Sequence, residues 1–173
     1  MATANKNLSS YDPDSVPDGA EMSIGIVASE WNGEITNNLV KGAIETLKKH
    51  GVKEESIDLR WVPGSFELPV AARWMLESKK TDAVICIGSV IQGETKHFDF
   101  VCNAVSQGVK DVGLASGKPV IFGVLTDNTL QQAKDRSGGK HGNKGDEAAI
   151  TALKMVALKK TLTEPNERFS GFH

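Results

Sequence analysis

Cysteine is nearly missing from this chain: Cys86 and Cys102 are the only two among 173 residues. Neither stands at a spacing that suits a disulfide framework, a zinc knuckle or a redox CxxC pair. Cys86 falls in an apolar, strand-like run and Cys102 in a helical pattern, so both read as structural thiols that pack as small hydrophobes. Long apolar runs are missing as well. Nothing approaches the roughly 20 residues of a membrane span, and the polar opening MATANKNLSSYDPDSVPDGAE lacks the apolar centre of a secretory signal. An excess of one charge is also absent, with 20 Lys and Arg against 22 Asp and Glu. The basic residues are scattered over helix faces and form no arm or stripe, which argues against nucleic-acid binding. No Walker-type GxxxxGK[ST] loop and no dinucleotide fingerprint occurs, which disfavours a P-loop nucleotide site. There are no internal repeats or low-complexity tracts. These absences leave a soluble cytoplasmic protein, with no membrane or nucleic-acid partner, as the expectation.

The length suits one domain with one core. Residues 1–21 carry Pro13, Pro17, Gly19 and several Asp and Ser, too polar and interrupted to bury a face, and are expected to form a flexible tail. A single domain is expected over 22–162, followed by a second tail over 163–173. Within the domain, short β-branched runs alternate with longer amphipathic stretches. The strands expected are MSIGIVAS, SIDLRWV, DAVICIGSVI and KPVIFGVLT. The helices expected run from Glu34 to His50, Phe66 to Ser78, Thr95 to Ala115, Thr129 to Arg136 and Asp146 to Leu162. Gly51 occupies a left-handed C-terminal cap position behind the first helix. This alternation predicts an α/β three-layer sandwich: a central four-stranded parallel sheet, flavodoxin-like, flanked by helices on both faces. Ligands then belong beyond the carboxyl ends of the strands.

The unusual residues cluster at those ends. Trp31 and Asn32 follow the first strand, Gly64 to Glu67 the second, and Gln92 to His97 the third. In VPGSFELP, Pro63 and Gly64 make a sharp turn whose following amides, at a helix start, can meet polar ligand atoms. Phe66 as core and Glu67 as a helix-dipole partner is the plainer alternative. GETKHFD places amides, a hydroxyl and an imidazole at a strand-to-helix junction, a setting for an anion and for proton transfer. A lone histidine is more often a surface or core residue, but His97 stands beside that anion site. DRSGGKHGNKGDE presents Arg136, Lys140, His141 and Lys144 among four glycines, either as a solvated basic loop or as a flexible cluster of cations.

Taken in order, WNGEIT, VPGSFELP, GETKHFD and DRSGGKHGNKG resemble the motifs of the lumazine synthase family, over about Met22 to Leu162. Members of that family join 5-amino-6-(D-ribitylamino)uracil to 3,4-dihydroxy-2-butanone 4-phosphate without a metal or organic cofactor. The resemblance implies that Trp31 stacks on the pyrimidine with Asn32 beside it, and that Ser65, Phe66 and Glu67 hold the ribityl chain and nearby groups. It implies that Ser89, Val90 and Ile91 line the pyrimidine, with Phe122 contributed by a neighbouring subunit. Glu94, Thr95 and Arg136 fall on phosphate-binding positions, His97 on the proton donor and Lys144 on a nearby lysine with a catalytic part. The chain departs from the commonest pattern at Trp31, Glu94, Lys96 and Ser137. The resemblance further implies a homopentamer or a multiple of pentamers with active sites at subunit interfaces, and riboflavin synthase as a partner. Two features bear on a hollow icosahedral shell in opposite ways: Pro13 and Pro17 would interrupt an added edge strand, while the short GGKHGNKG loop resembles that of shell-forming members.

Overall fold

The computed structural model describes residues 7–78 and 81–163. Four strands, β1 (Ile24–Ser29), β2 (Ile57–Val62), β3 (Ala83–Ile91) and β4 (Val120–Asp127), form one sheet. Their order is β2-β1-β3-β4 and every pairing is parallel. Parallel neighbours need crossover connections, and helices supply them: α1 (Gly33–Lys49), α2 (Leu68–Ser78), α3 (His97–Ser116), α4 (Leu130–Arg136) and α5 (Lys144–Thr163). The result is the three-layer, flavodoxin-like α/β arrangement expected from the alternation of strands and helices.

The apolar character of β1 and β3 follows from burial on both faces. Successive side chains of a strand point to opposite sides. Ile24, Ile26, Ile85 and Ile87 enter a core with Leu39 and Leu47 of α1 and Leu153 of α5. Val27, Val84 and Cys86 enter a second core with Leu68 and Met75 of α2 and Val105 of α3. Each fully buried aliphatic side chain contributes about 1.5–3 kcal/mol relative to exposure, so removing either helical layer would strand half of the sheet in water. Gly51 adopts φ +91° just beyond α1, as its cap position requires.

Boundaries differ from expectation where local chemistry competes with periodicity. The helix expected from Phe66 begins at Leu68, behind a 3-10 turn over Ser65–Glu67. Pro69 lacks an N–H and fits the first helical turn, so the α-helical ladder starts beside it. The glycine-rich segment before α5 contains a small antiparallel hairpin, β5 (Ser137–Gly139) with β6 (Gly142–Asn143). Ahead of β1, residues 7–21 touch the body at several points. Leu8 N donates to His141 O at 2.7 Å, Asn143 N to Ser9 Oγ at 2.9 Å, Lys154 Nζ to Ser15 Oγ at 2.9 Å and Gly19 N to His50 O at 2.7 Å. Tyr11 lies against His50 with its hydroxyl 3.1 Å from Nε2. Of the tail expected over 163–173, Thr163 ends α5 and the remainder lies outside the described residues.

Candidate active site

A cavity of about 750 Å³ opens at the carboxyl ends of β1, β2 and β3. Three backbone devices shape its rim. Glu30 N donates to Val62 O at 2.8 Å and Trp31 N to Pro63 O at 3.2 Å, so the turns after β1 and β2 are laced together. Asn32 caps α1 in the left-handed region, φ 59° and ψ 45°, which asparagine tolerates better than most residues. Its side-chain amide then donates to the carbonyl of Ser89 at 2.8 Å, tying the α1 start to the end of β3.

The aromatic side chains at this rim are not core. Trp31 is 73% exposed and Phe66 63% exposed, and both line the cavity with Pro63, Gly64, Ser65 and Glu67. Large apolar rings left in water beside a concavity offer a flat ligand two stacking faces. Ser89, Val90 and Ile91 form the side given by β3. At the other end of the cavity are Gly93, Thr95 and His97. Thr95 Oγ1 accepts a hydrogen bond from His97 N at 3.4 Å, and His97 is the first residue of α3. A helix start with a hydroxyl and an exposed imidazole beside it can receive an anion and exchange protons with it.

The cavity thus gathers Trp31, Asn32, Ser65, Phe66, Glu67, Ser89, Val90, Ile91, Thr95 and His97. Four other residues singled out in the sequence stand elsewhere. Glu94 is exposed in the loop between Gly93 and Thr95 and does not line it. Phe122 sits on β4, partly buried against the α2/α3 core. Arg136 ends α4, where Nη1 donates to Gln132 O at 3.0 Å and stands 3.7 Å from Asp127 Oδ1. Lys144 begins α5 with only 14% of its side chain exposed and Nζ bonded to Glu147 Oε1 at 2.8 Å. Sequence reasoning missed Phe98 and Val101, which also line the cavity. Their spacing on one face of α3, leading to buried Val105, was the available signal.

Neither thiol joins this site. Burial pushes the Cys86 thiol up to about 12, and burial together with the nearby Asp99 carboxylate raises that of Cys102. Both therefore stay protonated and poorly nucleophilic at neutral pH.

A parallel α/β sheet with a part-aromatic, part-polar cavity beyond its strand ends is the arrangement of a small-molecule site. The chain belongs to the 6,7-dimethyl-8-ribityllumazine synthase family, whose profile matches residues 21–160. Among relatives bearing that name, the protein of Parabacteroides distasonis is 57% identical over 156 residues, covering 90% of this chain and 98% of that protein. The protein of Cytophaga hutchinsonii is 59% identical over 157 residues, covering 91% and 98%. That of Porphyromonas gingivalis is 53% identical over 160 residues, covering 92% and 99%.

Proposed function

We propose that this chain condenses 5-amino-6-(D-ribitylamino)uracil with 3,4-dihydroxy-2-butanone 4-phosphate to give 6,7-dimethyl-8-ribityllumazine, phosphate and water, the penultimate step of riboflavin biosynthesis. The observation that carries the reading is the joining, in one cavity, of exposed Trp31 and Phe66 to Asn32, Glu67, Thr95 and His97 in a member of that family. The pyrimidine stacks on Trp31 and lies along Ser89, Val90 and Ile91, while the ribityl hydroxyls meet Ser65 and Glu67. The substrate amine attacks the ketone and water leaves to form an imine. Elimination then expels phosphate and leaves an enol, which tautomerises to a new ketone at the adjacent carbon; attack of the second amine on that ketone, with loss of a second water, closes the ring. Each step moves protons, a task for His97, and brings two reactants together, which is where much of the rate enhancement originates. Lys144, which lies outside the cavity of its own chain, assists near the phosphate from a neighbouring copy.

Arg136 and Phe122 belong to this site through a second copy of the chain. Arg136 carries the cation that a dianionic phosphate requires, yet it lies outside the cavity of its own subunit. A neighbour in a ring would present it beside Glu94 and Thr95. Exposed apolar side chains support such a ring: Val70 and Trp74 on α2, Phe100 on α3, and Met155, Leu158 and Leu162 on α5. Large apolar side chains left exposed on several helices are what association with further copies would cover. The working assembly is a homopentamer or a multiple of pentamers, in the cytoplasm, with riboflavin synthase as the partner that consumes the product. No helix among the described residues is long and apolar enough to cross a membrane.

The test is to mix purified protein with both substrates at neutral pH and follow lumazine absorbance and phosphate release together, with sedimentation of the same sample. Enzyme-dependent formation well above the spontaneous rate, by an assembled species, is expected. An assembled protein that gives no acceleration would refute the activity.

A further inference from the structure

Asp127 is the last residue of β4 and is 7% exposed. Its alternation with Ile121 and Leu125 places it on the α1/α5 face of the sheet. Its backbone carbonyl accepts from Gln92 N at 2.9 Å, which anchors it to the end of β3. Its carboxylate is less well served. Oδ2 is buried and has no hydrogen-bond partner among the described residues, and Oδ1 has only Arg136 Nη1, at 3.7 Å. A buried carboxylate so placed costs stability unless it is paired, and no packing requirement calls for an acid here. Burial raises its pKa while Arg136 pulls it down, so its charge depends on that one cation.

The arginine side of the pair is more telling. Both of its contacts, the Gln132 carbonyl at 3.0 Å and the Asp127 carboxylate, engage the same nitrogen, Nη1. A guanidinium has five N–H donors in a rigid plane. With Nη1 bonded to the Gln132 carbonyl and drawn toward the Asp127 carboxylate, the edge formed by Nη2 and Nε offers two parallel donors of the kind that grip a phosphate bidentately.

We propose that Asp127 is a positioning residue for phosphate recognition: it clamps Arg136 through Nη1 and so aims the opposite edge of the guanidinium at the phosphate of the substrate. This rests on the reading of Arg136 as the phosphate-binding cation. The sign of the effect separates positioning from simple electrostatics. Removing a negative charge near the phosphate site would by itself tighten anion binding, whereas losing the clamp frees Arg136 and weakens it.

The experiment is steady-state kinetics on the assembled full-length protein, with each substrate varied in turn, for Arg136→Ala, Asp127→Ala and Asp127→Asn. Arg136→Ala is expected to raise KM for the phosphorylated substrate; if it does not, the reading of Arg136 falls and the clamp falls with it. Given that rise, Asp127→Ala is expected to raise the same KM about five- to twentyfold, with kcat and the pyrimidine KM within about twofold. Asp127→Asn keeps an oxygen acceptor and is expected to recover most of that loss. An unchanged or lowered KM in Asp127→Ala, or an equal rise for both substrates, would overturn the proposal. Should Asp127→Ala not assemble, inorganic phosphate binding by Asp127→Ser and Asp127→Asn decides. Serine is too short to reach Arg136 and must bind phosphate several-fold more weakly than asparagine; equal affinities overturn the clamp.

Discussion

Gly145 marks the closest approach of two helices, and Gly145→Ala measures how much of the fold depends on it. A Cβ at this position would collide with the carbonyl oxygen of Leu39 and would lie 2.9 Å from the Leu39 carbonyl carbon and 3.0 Å from the Ala43 nitrogen. All three atoms are α1 backbone, so no rotamer change relieves the clash and α5 must move away. The seam it would open holds Leu39, Ala43, Ala148, Ala149 and Ala152, each fully or almost fully buried. Overpacking of this kind costs about 1–3 kcal/mol. The upper end applies here, because the contact is backbone against side chain at a fixed crossing. Alanine's better helix propensity returns about 1 kcal/mol, leaving a net loss of about 2 kcal/mol. For a domain of this size that is a fall in Tm of about 4–8 °C. Thermal melts by circular dichroism, at one protein concentration because assembly is linked to stability, provide the measurement. The variant should also raise KM for the phosphorylated substrate, since Gly145 N donates to Asn143 Oδ1 at 2.8 Å and Lys144 adjoins it. The pyrimidine KM should hold, because Trp31, Asn32, Ser89, Val90 and Ile91 line the cavity and Gly145 does not. A Tm within 1 °C of the unaltered protein would refute the packing argument.

His97→Ala is expected to lower kcat by about 10²–10³-fold with assembly intact; sedimentation alongside turnover checks it, and an unchanged kcat removes His97 from the chemistry. Trp31→Ala should raise the pyrimidine KM by about three- to tenfold, the value of one aromatic stack, without altering the KM of the phosphorylated substrate; isothermal titration with the pyrimidine alone reads the same loss. Asp127→Asn should stabilise the protein at neutral pH. The carboxyl's pKa in the folded chain lies above its unfolded value, because burial outweighs the pull of Arg136. Its contribution is therefore fully present below the ordinary carboxylate range and is lost as pH rises through the folded value. Urea melts at a series of pH values should show the variant's advantage at pH 7 shrinking as pH falls toward about 4; an advantage independent of pH would contradict the assignment. His50 behaves in the opposite sense. Burial, then Lys49, lowers its pKa, so its share of stability is present above the ordinary histidine value and is lost as pH falls, and NMR titration of the ring should give a value under 6.5.

The strands were legible because burial on both faces of a parallel sheet leaves little choice of residue: AVICIG in β3 must be apolar at every position to enter two cores at once. The aromatic and polar rim was legible for a related reason. Trp31 and Phe66 break the pattern by appearing just where a strand ends, and the residues that end parallel strands face the ligand side. What periodicity could not reveal was where a side chain points once two interactions compete for it. Asp127 follows Thr126 at a position that reads as the start of a turn, yet it closes β4 and is buried. Its meaning depends on Arg136, nine residues further along and on another element. Arg136 and Lys144 carry the right charges in the right order, but motif order does not say whether a cation serves its own cavity or a neighbour's. That distinction lies in the turn of α4 and the hairpin behind it. These hold Arg136 against Asp127 and Lys144 against Glu147, outside the cavity that His97 lines. If Arg136 serves a neighbour's cavity, as proposed above, assembly and catalysis are one question: a variant that breaks the ring should lose use of the phosphorylated substrate while still binding the pyrimidine, because Trp31, Ser89, Val90 and Ile91 lie in one chain.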